Sequence, residues 1–164
     1  MKTDKLLRTV FIFWVCTVWV FANDKLFFFP KEAKAAQTEI VSLIHASQKS
    51  INIAMYNLSM KSLAKELIKA SQRGVKVTVF LDGSKVENQS SEYAFLKKNG
   101  IEAVVITQSK LHTKLAVFDK KIVLFGSPNW TKESFSGNYE VLYITDEKEN
   151  VKKFNQFMKE LKDQ

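Results

Sequence analysis

The chain has 164 residues, 46% of them hydrophobic and 26% charged, with 5 Gly and 2 Pro, the make-up of one globular domain and not of a collagenous or low-complexity chain. One Cys and 2 His exclude a disulfide framework, a cysteine-based zinc site and most histidine-rich metal sites, so neither a metal nor a cofactor is expected. Lys and Arg number 25 against 17 Asp and Glu, a net charge of +8, which favours polyanionic partners: nucleic acid or an anionic membrane.

Lys2, Lys5 and Arg8 precede an apolar run from Val10 to Ala22, and Asn23-Asp24-Lys25 breaks it. A basic start, a run of this length and Val20-x-Ala22 before the polar break predict a secretory signal peptide over residues 1–22. The run is shorter than the ~20 residues of a membrane span. Leu6 and Leu7 extend it past Arg8, so an uncleaved signal anchor, with membrane association through residues 6–22, fits as well. Either way the domain, residues 23–164, is expected outside the cytoplasm, in a bacterial periplasm or at the cell envelope. Cleavage would leave a cysteine-free chain suited to an oxidising compartment.

Beyond Pro30 the pattern alternates between helix and strand. Ala36, Ile40, Leu43 and Ile44 form a helical stripe within Lys31–Ser47. Ile51–Tyr56 alternates with period two and predicts a strand. Ser59 can cap a helix from Met60 to Gln72, which Gly74 ends. Val75–Leu81 predicts a strand and Asp82-Gly83-Ser84 a turn. A helix is expected over Glu87–Lys98, stopped by Asn99-Gly100, then a strand over Ile101–Ile106. Lys114–Phe118 and Lys121–Phe125 flank Asp119-Lys120 and predict a hairpin. Tyr139–Thr145 is a further strand, and Glu147–Lys162 a closing helix with Val151, Phe154, Phe157, Met158 and Leu161 inward. This order predicts an α/β fold, a mixed sheet flanked by helices on both faces.

One constellation carries chemistry: His112-x-Lys114, then Asp119, then Gly126-Ser127-x-Asn129. Two residues apart on a strand, His112 and Lys114 point to the same face. The hairpin returns the chain, so Ser127 and Asn129 can lie near His112. Lys114, Ser127 and Asn129 are donors suited to the non-bridging oxygens of a phosphate, and Gly126 permits close backbone approach. Taken singly, a strand-end His, a solvated Lys and a Gly-Ser-Pro-Asn turn are all commonplace. Their joint spacing is not.

At these residues the sequence resembles the phospholipase D superfamily, whose mark His-x-Lys-x4-Asp-x6-Gly-Ser-x-Asn is matched at His112, Lys114, Asp119, Gly126, Ser127 and Asn129. The resemblance extends over nearly the whole chain after Phe29. Most members carry the motif twice, and this chain carries it once. It is similar in that to the short bacterial endonucleases of the family and, more distantly, to the mitochondrial cardiolipin hydrolases. The resemblance implies a phospholipase D-like half-unit that forms a homodimer with a shared active site. It further implies that His112 forms a phosphohistidine, that the partner's copy of the same histidine acts as acid and base, and that Glu140 orients the imidazole. Lys114, Ser127 and Asn129 would bind the phosphoryl group. Asp119 is expected to brace the hairpin loop without touching substrate, and Gly126 to be structural.

Other residues carry less. His45 is expected to be a surface or helix-packing residue and Asp82 a turn residue, while Tyr56 and Asn57 could line the cleft. Lys61, Lys65 and Lys69 form a helical row that reads as a solvated face or, with Lys110, as a track for a phosphate backbone. Three functions compete: a metal-independent nuclease, a hydrolase of an anionic phospholipid such as cardiolipin, and a non-catalytic nucleic-acid-binding domain. The intact motif counts against the third. The basic balance tilts toward nucleic acid, but cardiolipin is anionic too. A lipid enzyme would need an apolar rim near the site, for which Trp130 and Phe135 are the candidates.

Overall fold

The computed structural model describes residues 23–163, so the expected signal peptide or anchor lies outside the described residues. Thirteen elements follow in chain order: β1 (Lys25–Phe28), α1 (Ala33–Ala46), β2 (Ser50–Met55), α2 (Lys61–Gln72), β3 (Lys76–Asp82), α3 (Gly83–Val86), α4 (Tyr93–Lys98), β4 (Glu102–Ile106), β5 (Lys114–Phe118), β6 (Ile122–Gly126), α5 (Lys132–Ser136), β7 (Val141–Thr145) and α6 (Lys148–Lys162). The strands form one mixed sheet in the order β1-β7-β6-β5-β2-β3-β4. β2, β3 and β4 run parallel, joined by helical crossovers, and the remaining pairings are antiparallel.

Alternation along the strands builds two apolar layers. Ile51, Ile53 and Met55 of β2 join Val79, Leu81, Ala116 and Leu124 against Ile40 and Ile44 of α1 and Leu63 and Leu67 of α2. Ala54, Phe80, Leu115, Val117 and Val123 face the other way, against Val151, Met158 and Leu161 of α6. Helices therefore cover both faces, as the pattern predicts. His45 is a packing residue: its Nε2 lies 2.7 Å from Glu66 Oε2, tying α1 to α2. Among the described residues no helix is long and apolar enough to cross a membrane.

Several expectations are corrected. β1 is an additional strand at the sheet edge, paired with β7 from Lys25↔Ile144 to Phe28↔Val141. Ser59 does not cap α2. Met60 stands at the N-cap position without a side-chain bond, and the backbone N–H groups of Ser59 and Met60 donate to the Trp130 carbonyl at 3.0 and 2.9 Å. The helix expected over Glu87–Lys98 is split. Its first part is a turn in which Asn88 Oδ1 accepts from Ser90 N at 3.0 Å, a local bond that competes with helix. Only Tyr93–Lys98 is helical there.

The hairpin that carries the motif is built by its turn. Asp119 and Lys120 both have positive φ, 51° and 58°, the backbone twist that a tight hairpin requires, and Lys121 N donates to the Phe118 carbonyl at 2.9 Å. Asp119 tolerates this conformation and is held in it. Its carboxylate accepts from the backbone N–H groups of Gln48, Lys49 and Ser50 at 2.9, 2.7 and 2.9 Å. Burial pushes the Asp119 carboxyl up, but these three bonds outweigh it and hold the group below its ordinary value. The carboxylate thus ties the turn to the start of β2. Asp119→Ala is expected to cost about 2–4 kcal/mol, because three backbone donors lose a charged acceptor. The contribution is present above the ordinary carboxylate pKa of about 3.9 and is lost as pH falls through the lowered folded value. Urea midpoints of the two proteins at neutral pH measure it, and equal midpoints would refute the bracing role.

Candidate active site

β5 and the segment before it position His112 and Lys114, the candidate catalytic pair. Lys114 opens β5 opposite Met55, and the preceding loop is pinned on both sides. Tyr56 N donates to the Thr113 carbonyl at 2.9 Å, and Leu111 N donates to Asp82 Oδ2 at 2.8 Å. Asp82 is therefore more than the turn residue expected. It caps α3 through Ser84 N at 3.0 Å, is 3% exposed, and fixes the residue next to His112 from 29 positions away. Burial pushes its carboxyl up, but bonds from Ser84 and Leu111 prevail and keep it low.

His112 is exposed and Lys114 buried. The Lys114 ammonium donates to the His112 carbonyl oxygen at 3.0 Å and lies 3.4 Å from both ring nitrogens, so it faces the imidazole without committing to either atom. This cation, together with partial burial and Lys110, holds the His112 pKa below its ordinary 6.5, against a smaller opposing pull from Asp82. The imidazole is thus biased to the neutral form, the form that can attack. Burial lowers the Lys114 pKa in turn, and Glu140 and Tyr56 oppose that fall. The Tyr56 ring lies 4.6 Å from the His112 ring, centroid to centroid, so it lines the cleft as expected, and Asn57 follows half-buried.

The second half of the motif lies where β6 ends. Gly126 does approach a backbone closely, but that backbone is β7: a Cβ at position 126 would collide with the Val141 carbonyl oxygen. Ser127 N donates to the same carbonyl at 3.0 Å, and Val141 N donates to Ser127 Oγ at 3.0 Å. Ser127 Oγ in turn donates to Glu140 Oε2, and Glu140 Oε1 accepts from Asn138 Nδ2 at 3.1 Å. Within one chain, then, the Glu140 carboxylate is engaged by Ser127 and Asn138 and not by His112, where the resemblance had placed it. Its link to the catalytic pair is the charge it directs at Lys114. Asn129 Oδ1 is buried without a hydrogen-bond partner, a polar group whose burial is costly unless a ligand or a second chain completes it.

Residues outside the motif are sorted as well. Trp130 is 0% exposed and Phe135 packs on Phe29 with centroids 5.0 Å apart, so neither forms an apolar rim. Among the described residues, the large exposed apolar side chains are instead Leu26, Phe28, Tyr139 and Val141. In the row on α2, Lys61 lies over the Phe95 ring at 5.2 Å and Lys69 pairs with Glu66 at 2.7 Å. These contacts fit a surface row better than a phosphate track. Among the described residues, no group of three or more His, Cys, Asp or Glu is arranged to hold a metal ion.

Comparison with known proteins gives this geometry its context. The family described as cardiolipin synthase, PLD-like domain, matches residues 40–162. Mitochondrial cardiolipin hydrolase from Xenopus laevis is 35% identical over 127 residues, covering 76% of this chain and 60% of the relative. Phospholipase D from Rickettsia prowazekii is 34% identical over 111 residues, covering 66% of this chain and 54% of the relative. The chain thus spans little more than half the length of these curated relatives. Among solved structures, NucT from Helicobacter pylori superposes with a TM-score of 0.79 at 28% identity, covering 87% of this chain and 97% of that one. Nuc from Salmonella typhimurium, a phospholipase D family member, superposes with a TM-score of 0.80 at 22% identity, covering 88% and 96%, and supports the fold. The match over residues 40–162 and the superposition on NucT lead to one conclusion: this chain belongs to the phospholipase D-like family.

Proposed function

We propose that the chain is a metal-independent phosphodiesterase that cuts nucleic acid, as a homodimer with a shared active site. The observation that carries the reading is the exposed imidazole of His112 with the ammonium of Lys114 against it, which draws the ring's pKa below its ordinary value. A ring nitrogen of His112 attacks phosphorus in line, forming an N–P bond as the P–O bond opposite breaks. The partner subunit's His112 gives a proton to the departing oxygen. It then takes one from water, whose oxygen displaces the imidazole and releases the product. Lys114 and the Ser127 and Asn129 side chains offset the charge that gathers on the phosphoryl oxygens, so no metal is required.

The need for two histidines is the argument for two chains. Leu26, Phe28, Tyr139 and Val141 provide a face for the second copy: exposed apolar groups beside Ser127 and Glu140, too many in one place to be left in water without a purpose. We further propose that the domain works outside the cytoplasm, a reading that rests on the basic start and apolar run of residues 1–22. Mass spectrometry of the N-terminus after expression tests it. Asn23 at the start, or an intact chain recovered from membranes, agrees with the proposal, and an intact chain in the cytosol opposes it.

The net charge of +8 and the similarity to NucT support nucleic acid as the substrate. Single strands should be cut faster than duplex, because a flexible strand can bend its phosphate into a cleft between two subunits while a duplex stays straight over ~150 bp. The identity to cardiolipin hydrolases favours a second reading, hydrolysis of an anionic phospholipid. The purified full chain, incubated in EDTA with labelled single-stranded DNA, duplex DNA and cardiolipin vesicles, decides between them. Faster cleavage of the single strand, undiminished by chelation, is expected. Loss of all activity in EDTA with recovery on adding magnesium would overturn the mechanism, and turnover of cardiolipin alone would transfer the enzyme to the second reading.

A further inference from the structure

Three lysines from separate segments converge on one aromatic ring. Lys85 Nζ of α3 lies 4.9 Å from the Tyr56 ring centroid, and Lys110 Nζ and Lys114 Nζ each lie 5.2 Å from it. Lys114 belongs to the catalytic pair and Lys110 adds to the positive field at His112, while Lys85 has no role in the chemistry described above. Like charges do not gather without compensation. Among the described residues, none of the three has a carboxylate within ion-pairing distance. The nearby acid, Asp82, has its carboxylate committed to Ser84 and Leu111.

The ring offers its negative face to these cations but supplies no counter-charge. The nearby Lys85 ammonium, with Lys110, draws the Tyr56 phenol below its ordinary range, a sign of the positive field at this point. Beside the ring opens a hollow of about 430 Å³ lined by Asp82, Ser84, Thr107, Ser109 and Lys110, hydroxyl donors next to the Lys110 ammonium, with the Asp82 carboxylate already engaged by Ser84 and Leu111. Its floor is shaped by Gly83, where a Cβ would stand 2.9 Å from Thr107 Cγ2. The hollow is therefore polar, bordered by the three lysines at the Tyr56 ring, and contiguous with His112 through that ring, 4.6 Å away.

We propose that Tyr56, Lys85 and Lys110 form a second phosphate subsite, which holds the phosphodiester adjacent to the one being cut. It rests on the reading of the chain as a nuclease and adds the requirement that a good substrate carry two phosphodiesters a short link apart. A strand of nucleic acid meets that requirement at every internal linkage. Phosphate contacts of this kind position the strand and read no base.

The test separates the subsite from the chemistry. Binding of fluorescent oligothymidylate is measured by anisotropy in the His112→Asn background, and cleavage is measured as kcat/KM for a trinucleotide relative to bis(p-nitrophenyl) phosphate, which has a single phosphodiester. Lys85→Ala and Lys110→Ala are each expected to weaken oligothymidylate binding about tenfold and to make its salt dependence shallower by about 0.7 in the log–log slope. The trinucleotide preference should fall by a similar factor. Lys98→Ala, an exposed lysine at the end of α4, controls for the loss of one charge. The subsite is refuted if both variants keep the wild-type slope and preference, or if Lys98→Ala matches them. Loss confined to cardiolipin relative to phosphatidylglycerol vesicles would refute the nucleic-acid assignment. An enzyme that leaves bis(p-nitrophenyl) phosphate intact while the lysine variants still weaken binding would keep the subsite and remove the phosphodiesterase reading.

Discussion

His112→Asn is expected to lower turnover by about 10⁴-fold or more while leaving the fold intact. The side chain is exposed, and Lys114 approaches its two ring nitrogens evenly at 3.4 Å, so an amide of similar size removes no buried packing. It removes the nucleophile from one subunit and the proton carrier from the other, groups that act as a unit and whose losses do not add. The consequence is a particular behaviour of mixtures. If each turnover draws on both histidines of a dimer, mixed dimers are dead, and activity falls as the square of the wild-type fraction. If each chain works alone, it falls in proportion. Subunits mixed, unfolded together and refolded across a range of ratios distinguish the two curves. A linear response with a fully active monomer by light scattering would remove the shared site.

The parts that could be read in advance are those where period and local turn chemistry speak together. The hairpin was visible because two short apolar segments, Lys114–Phe118 and Lys121–Phe125, flank Asp119-Lys120, residues that can take positive φ. The helices over Ala33–Ala46 and Lys148–Lys162 were visible from their stripes. What was hidden depends on contacts distant in sequence. β1 is four residues long and abuts an apolar run, so nothing local marks it, and its identity comes from pairing with β7. Asp82 follows a strand and precedes a Gly, which spells a turn. Its grip on Leu111 exists only once β3 and the β4–β5 loop are side by side. Glu140 was placed by resemblance on the imidazole, whereas its oxygens are taken within the chain by Ser127 and Asn138. Trp130 follows the motif in sequence and so suggested a rim, but Leu58 and Trp130 form a backbone bridge that carries the indole into the core.

Lys114→Met is expected to lower kcat/KM by about 10²–10³-fold, the effect of removing one preorganised donor from developing phosphoryl charge, and to move the acid limb of the pH profile upward. The methionine fills the same slot in a buried position, so the change is one of charge more than of volume. The direction of the pH shift follows from the site. Attack needs neutral imidazole, and the first cause that holds the His112 pKa below 6.5 is the charge on Lys114. In the wild-type chain, the acid limb of kcat/KM, where the attacking imidazole protonates, therefore lies under pH 6.5, while the alkaline limb is set by loss of the proton that the partner subunit's His112 must carry. Without the ammonium, the proton is held more tightly, protonation begins at higher pH, and the decline starts earlier. Burial and Lys110 still act on the ring, so the shift is partial. A structural role for Lys114 alone would reduce activity by the same factor at every pH. The profile of kcat/KM, which reports the free enzyme, separates the two: an acid limb that stays in place after the substitution would show that Lys114 does not tune the nucleophile.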